Sequence, residues 1–325
     1  MSRDGSAFSE YCRAQKLPFT ESGMSGALDI VSARRLNRLS KGVDLVHVHS
    51  GKGHDLLATA YILGLRKPAI LSRRVDFPPK PNPWSRFKYR LPIISRCICV
   101  SDAIRKMTAH ALRDEGLAMT IHSGIDRNRF APSIQGAALH DEFDIPRQTP
   151  LIGNVSALAP HKDYFTFVDT VRAFIDKGNV GHFFIIGEGE ERKAIEAYIE
   201  KKGCTNHITM TGFREDVPAI LSALDVFLIT SRTEGLGTSV LDAMASSCPV
   251  VATAAGGIPE LVSHGKTGLL AQVGSSEQLA DSLARMLNED TLMRTCIQGG
   301  LMVAEQHDKA RTAGRTFQVY TEALN

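Results

Sequence analysis

Along the second half of the chain, short runs of apolar and β-branched residues alternate with longer stretches in which apolar positions recur every three or four residues. The first pattern is that of buried strands and the second that of helices with one apolar face, so their alternation predicts βα units and a parallel sheet. Strands are predicted at 150–155, 182–186, 207–211, 226–230 and 249–253, with Gly, Asp or Asn punctuating most of the gaps. Helices fill those gaps. The stretch 190–202 carries Ile195 and Ile199 one turn apart, and 276–287 carries Leu279, Leu283 and Leu287, so each offers the sheet a single apolar stripe.

The first half repeats the pattern less regularly. Helices are predicted at 9–16 and 26–39 and strands at 43–49, 68–72 and 97–100, the last running into Ser101-Asp102, an N-cap for a helix beginning at Ala103. Residues 131–149 mix Pro, Ser, Gln, Gly and charges, the composition of an interdomain linker. The chain then divides into a first domain, 1–146, a second, 147–310, and a final segment, 311–325, forming a helix.

A chain of 325 residues with 43% hydrophobic and 22% charged positions is globular, not disordered, collagenous or coiled-coil. No run approaches the roughly 18 apolar residues of a membrane span, and the opening Met1-Ser2-Arg3-Asp4-Gly5-Ser6-Ala7-Phe8 lacks the apolar core of a signal peptide. Cys12, Cys97, Cys99, Cys204, Cys248 and Cys296 form no CxxC pair or disulfide-like spacing, which suits a reducing compartment. The expectation is a soluble cytoplasmic protein. Charge adds an asymmetry. Residues 1–146 hold 22 Lys and Arg against 14 Asp and Glu, a balance of +8, whereas 147–325 hold 16 against 21, a balance of −5. A basic first half fits an anionic partner, such as a membrane surface or an acidic glycolipid, or else a solvated basic face.

The candidate chemistry begins at 226–242, where a predicted strand runs into Ser231-Arg232-Thr233-Glu234-Gly235-Leu236-Gly237-Thr238-Ser239 and then an apolar helix. Glycines let backbone N–H groups approach a phosphate, and the following helix N-terminus adds partial positive charge; a tight βα turn has the same appearance. Lys162 follows Pro160-His161 at the mouth of the first strand of this half, and Ala255-Gly256-Gly257-Ile258-Pro259-Glu260 follows the strand at 249–253. All three segments fall at carboxyl ends of parallel strands, the edge at which open α/β sheets bind ligands. One lysine and two glycine-rich turns on that edge point to a diphosphate.

Glu234 and Asp242, eight residues apart, resemble the glutamate-x7-glutamate signature of family 4 retaining glycosyltransferases of the GT-B fold, with the second acid shortened. Also similar are His161-Lys162-Asp163, Ile186-Gly187-Glu188-Gly189, Thr211-Gly212-Phe213, Ala255-Gly256-Gly257, Gly265-Lys266-Thr267-Gly268-Leu269-Leu270 and Ser123-Gly124-Ile125-Asp126, in order over more than 200 residues. The resemblance implies an α/β protein of two Rossmann-like, doubly wound domains facing across a cleft, with the last helix crossing back to the first domain. It implies a nucleotide-sugar donor (UDP-, GDP- or ADP-sugar), no metal or other cofactor, and a glycan or glycolipid acceptor, with bacterial cell-surface polysaccharide or lipopolysaccharide synthesis preferred. Contact would be peripheral, at the inner face of an anionic membrane, and no nucleic acid is expected.

By the same resemblance Lys162 contacts the donor diphosphate, helped by backbone N–H groups of Gly235, Leu236, Gly237 and Thr238; Glu234 holds the transferred sugar and Asp242 the ribose. Phe213 and Arg214 lie near the base, and the Gly187 turn belongs to the donor site. Asp44-Leu45-Val46-His47-Val48-His49 looks like the family's strand-end histidine motif, with His49 catalytic and His47 second. Arg73 and Arg74, after a predicted strand, are candidates for an anionic acceptor. Two departures stand out. The family's arginine five residues before the lysine is Ala157 here, which leaves Arg232 as a candidate helper. The family's first strand and glycine-rich loop are expected to be missing, so that the first domain is incomplete, the true start lies upstream, or the chain is a degenerate nucleotide-sugar-binding protein.

Three other readings rest on local features. Gly235-Leu236-Gly237 imitates a dinucleotide fingerprint whose third glycine is Val240, and Gly265-Lys266-Thr267 imitates a phosphate loop whose earlier glycine is Glu260. His47 and His49, pointing the same way on a strand with His54 and Asp55 nearby, suit either a zinc site or a satisfied strand end. The segment 84–90, Trp-Ser-Arg-Phe-Lys-Tyr-Arg, interleaves aromatics and cations as a lipid or acceptor contact does, or as a solvated helix face.

Overall fold

In the computed structural model, which describes residues 1–24 and 29–325, the predicted strands are parallel and fall into separate sheets. The chain divides into one unit made of Met1–Ile121 and Gly314–Asn325 and a second made of His122–Ala313.

In the first unit β1 (Ser2–Arg3) pairs with β2 (Glu21–Ser22), and β3 (Val46–Val48), β4 (Ala69–Arg73), β5 (Ile94–Cys99) and β6 (Ala118–Thr120) form a four-stranded sheet in chain order. Helices join these strands where local chemistry starts them. Ser50 accepts from Gly53 N–H at 3.1 Å to open the helix Gly51–Ile62, and Ser101 accepts from Ile104 N–H at 3.1 Å to open Asp102–Ala109, as its sequence predicts. The helix expected from 26 begins, among the described residues, at Ile30, capped by Asp29; 26–28 lie outside those residues.

The expected opening is altered in part. A two-residue strand does precede a turn at Gly5 (φ +62) and the helix Ala7–Ala14, yet β1 and β2 form their own sheet and β3 is the edge strand of the larger one.

The second unit holds β7 (Leu151–Val155), β8 (His182–Ile186), β9 (Ile208–Gly212), β10 (Val226–Ile229), β11 (Val250–Thr253) and β12 (Leu269–Ala271), all parallel in the order β12-β11-β10-β7-β8-β9. That is the doubly wound order, and it reverses between β7 and β10. The four residues of β10 are fully buried, because helices cover both faces of a sheet of this kind. The stripes of Ile195, Ile199, Leu279 and Leu283 join its core as expected.

The boundaries move from those read in the sequence. Residues 122–146 belong to the second unit, where Ile125 forms a parallel bridge with Asp308 and Ala137 N–H donates to Ala219 O at 2.8 Å. A run that reads locally as a linker is tied down by partners remote in sequence. The last helix spans Lys309–Leu324, and its residues from Gly314 belong to the first unit, with Val319 buried against Ile70, Ile98 and Ile121.

Candidate functional site

The switch point of the second sheet brings together two loops whose chemistry was legible from the sequence. After β7, Pro160–Lys162 forms one tight turn and Asp163 takes a left-handed conformation (φ +51). The Asp163 carboxylate accepts from Thr166 N–H at 3.4 Å to cap the helix Tyr164–Asp176, and from Thr166 Oγ1 at 2.7 Å. After β10, Thr230 Oγ1 donates to the carbonyls of Lys162 (3.2 Å) and Asp163 (3.1 Å), and Arg232 N–H donates to His161 O at 2.8 Å. Stitched in this way, the loops bring Lys162 Nζ onto the Glu234 carboxylate, 72 residues along the chain. Ser231 Oγ donates to the same carboxylate oxygen at 2.9 Å. Glu234 is only 8% exposed, so Lys162 supplies the opposite charge that its burial requires.

Glycines bring a third loop against this pair. Gly257 N–H donates to Glu234 O at 3.0 Å, and a Cβ on Gly256 (φ +52) would stand 2.0 Å from that same oxygen. Gly237 (φ +88) leads into the helix Thr238–Ala245, which has no side-chain cap, and Val240 N–H bonds Gly237 O at 2.9 Å. Helix N-termini without a side-chain cap are a common geometry for anion binding. Leu236 is buried and offers only its backbone. Gly187 (φ +143) is accounted for by packing, since a Cβ there would stand 2.0 Å from Ser156 O while its N–H bonds Gly212 O.

The other sequence candidates of this unit differ in state. Asp242 lies on the helix Thr238–Ala245, where burial pushes its carboxyl up to about 7 against the opposing pull of Arg129. Phe213 is 73% exposed. Arg214 forms ion pairs with Asp216 (2.8 Å) and with Glu142, which raise its pKa further and occupy the guanidinium expected near a base. Arg232, the candidate helper for Lys162, bonds the buried Asp163 at 2.9 Å while most of its side chain stays exposed. Sequence reading missed Asp163 and Ser231, whose roles depend on the meeting of the two loops.

In the first unit both histidines of the strand-end motif lie beside Arg74. His47 bonds Tyr320 Oη through Nδ1 (2.6 Å) and Ser72 Oγ through Nε2 (2.8 Å). Burial, with His49 and Arg74 nearby, lowers its pKa to about 3, so it is neutral. His49 lies 3.9 Å from the His47 ring, and burial and Arg74 likewise hold it below the usual histidine value. The zinc alternative finds no support in the geometry. His47 uses both ring nitrogens, His54 Nε2 is bonded to Lys88 O, and no three potential metal ligands gather among the described residues.

A cavity of about 350 Å³ opens beside His49, lined also by Arg73, Arg74, Phe77, Trp84 and Tyr89. The cation-aromatic segment forms part of its wall. In the helix Pro83–Tyr89, Trp84 Nε1 (2.9 Å) and Lys88 Nζ (2.7 Å) both donate to Asp55, and Tyr89 is buried. Among the described residues no helix is long and apolar enough to cross a membrane.

Comparison with known proteins agrees with this geometry. Residues 137–301 match the model of the glycosyl transferases group 1, and 2–129 match that of glycosyltransferase family 4. The chain is 30% identical over 203 residues to the 2-deoxystreptamine glucosyltransferase of Streptomyces kanamyceticus, covering 61% of this chain and 52% of that protein. It is 27% identical over 278 residues to the 2-deoxystreptamine N-acetyl-D-glucosaminyltransferase of Niallia circulans, covering 79% and 70%. The chain thus spans about half the length of the first of these relatives. Its fold is similar to that of Anabaena HepE, solved with UDP and glucose, at a TM-score of 0.83 and 21% identity, covering 98% of this chain and 89% of that one. With one family model spanning half of its length and a second matching most of the remainder, the chain belongs to the group 1 glycosyl transferases of family 4, built on the GT-B fold.

Proposed function

We propose that the chain transfers a sugar from a nucleotide-diphosphate sugar to a hydroxyl of a glycan or glycolipid acceptor, with retention of configuration. The observation that carries this reading is the meeting of Lys162, Glu234 and the uncapped helix N-terminus at Thr238 on the ligand edge of the second sheet. Without donor, the Lys162 charge is balanced by Glu234. A diphosphate competes for that ammonium and for the N–H groups of the helix.

As the bond from sugar to phosphate breaks, negative charge grows on the departing nucleotide, and Lys162 with the helix N-terminus stabilises it where it develops. Glu234, relieved of part of its pairing, accepts hydrogen bonds from hydroxyls of the transferred sugar. Asp242, whose carboxyl is pushed up to about 7 and so is partly protonated near neutral pH, serves the ribose as donor or acceptor. Retention follows when the acceptor oxygen attacks the face from which the diphosphate leaves, its proton passing to the departing phosphate oxygen as the sugar–phosphate bond breaks. His49, held neutral, accepts a hydrogen bond from a sugar or acceptor hydroxyl at that face.

Similarity to relatives named for glucosyl and N-acetylglucosaminyl transfer, and to a fold solved with UDP, supports UDP-sugars as the first donors to assay. The test is release of nucleoside diphosphate from UDP-, GDP- and ADP-sugars. Lys162→Ala is expected to lower kcat/KM by about 10²–10³-fold, and also to lower the unfolding midpoint because Glu234 stays buried without its partner, so turnover is compared at a temperature where both proteins are folded. Near-normal turnover in that variant overturns the reading, whereas nucleotide binding with no release from any donor favours a protein that binds without catalysing.

A further inference from the structure

The cavity beside His49 concentrates positive charge that its acidic neighbour does not cancel. Arg73, Arg74, Lys80 and Lys88 line it, and among its described lining residues Asp55 is the one acid. Asp55 is already committed to Lys88 at 2.7 Å and to Trp84 at 2.9 Å. Neither Arg73 nor Arg74 forms an ion pair among the described residues. Arg73 is held in position by its bonds to Tyr89 Oη at 2.9 Å and to Phe77 O, and by the Phe77 and Tyr89 rings, 5.4 and 5.9 Å from its guanidinium carbon. Its Nε is buried without a hydrogen-bond partner. With Nη1 and Nη2 each donating one bond inward, the guanidinium is fixed in place with a further N–H on each of these nitrogens left for an anion. The aromatic walls at Phe77 and Trp84 complete a space that suits the apolar face of a sugar ring.

We infer that this cavity binds an anionic sugar of the acceptor, with Arg73 and Arg74 taking its carboxylate or phosphate and the sugar ring resting between them and His49. The inference rests on the transferase reading above, which gives this unit the acceptor. It adds a sign of charge: neutral and amine-bearing acceptor sugars are disfavoured at this position.

The test titrates the full chain with methyl α-glucuronide, glucose 6-phosphate, methyl α-glucoside and glucosamine, following binding by NMR. At least one anionic sugar is expected to bind about ten- to a hundred-fold more tightly than the neutral glucoside, and glucosamine more weakly still. A preference between the two anions identifies carboxylate or phosphate as the group. Arg73→Gln and Arg74→Gln are each expected to remove most of the advantage. Arg74 is exposed, so its variant keeps the test meaningful if Arg73→Gln fails to fold. Equal binding of charged and neutral sugars, including none by either, overturns the inference, as does inorganic phosphate binding as tightly as glucose 6-phosphate. UDP titrated into the same sample reads the other unit. Loss of UDP binding counts against the transferase reading, whereas loss of the anion preference alone counts against this one.

Discussion

The two units build their ligand edges from different materials. In the second, most contacts end on backbone: Gly256 and Gly257 lie against the Glu234 carbonyl, and Thr230 Oγ1 and Arg232 N–H bond the carbonyls of the neighbouring loop. In the first, side chains form the walls, as Tyr320 and Ser72 orient His47, and Tyr89 and Phe77 hold Arg73. A site made of interlocked backbone tolerates little substitution without losing its geometry, whereas a cavity made of side chains can be retuned one residue at a time. The proposed function assigns the diphosphate to the more rigid edge and the acceptor to the more adaptable one.

The contrast breaks most visibly at Gly256. Alanine there combines a left-handed φ with a Cβ 2.0 Å from the Glu234 carbonyl, so Gly256→Ala is expected to cost about 3 kcal/mol or more and to abolish nucleotide binding. Denaturant unfolding and UDP titration measure both effects, and a loss below about 1 kcal/mol with binding intact sinks the claim that backbone contact defines this site.

Asp242 sharpens the comparison through pH. Its folded pKa is raised to about 7, so the folded state holds this proton more tightly than the unfolded chain does, and the associated stability is lost as pH rises from about 4 through 7. Asp242→Asn is therefore expected to be the more stable protein at pH 8 by about 1–2 kcal/mol, with the difference shrinking toward pH 4. Thermal midpoints of the two proteins across that range are the measurement, and a difference independent of pH counts against a buried, proton-binding Asp242. The first unit has the opposite sign at His47. Its lowered pKa means that stability is lost as pH falls below about 6.5.

The smallest effect is expected at Tyr320. Tyr320→Phe removes one hydrogen bond to His47 and leaves the ring in place, for about 0.5–1.5 kcal/mol. Transfer should fall while nucleotide affinity stays constant, and equal loss of both would show that the two units do not divide the work as described.

Legibility followed the range of the physics. The strands at 151–155, 182–186 and 226–229 were readable because each is an apolar run bounded by turn residues. The positions of Lys162 and Glu234 at the carboxyl ends of strands were readable because both follow such runs. Arg214, read from its position as a ligand residue, also pairs with Asp216 and with Glu142, 72 residues away, a contact no local pattern announces. The segment 84–90 invites a surface role until Asp55 draws Trp84 and Lys88 inward. Short strands such as β6 and β12, three residues each, gave too little periodicity to read.

By itself, then, the sequence determined the α/β class, the parallel arrangement of the second half and the residue types along its ligand edge, since these depend on hydrophobic period and turn chemistry within a few residues. Tertiary structure decided which side chains are already paired, where the units divide and how much of Arg73 remains unsatisfied. Those outcomes depend on contacts between segments as distant as His47 and Tyr320, 273 positions apart. No local pattern encodes such a pairing, because it is the packing of sheets and helices that brings the two ends together.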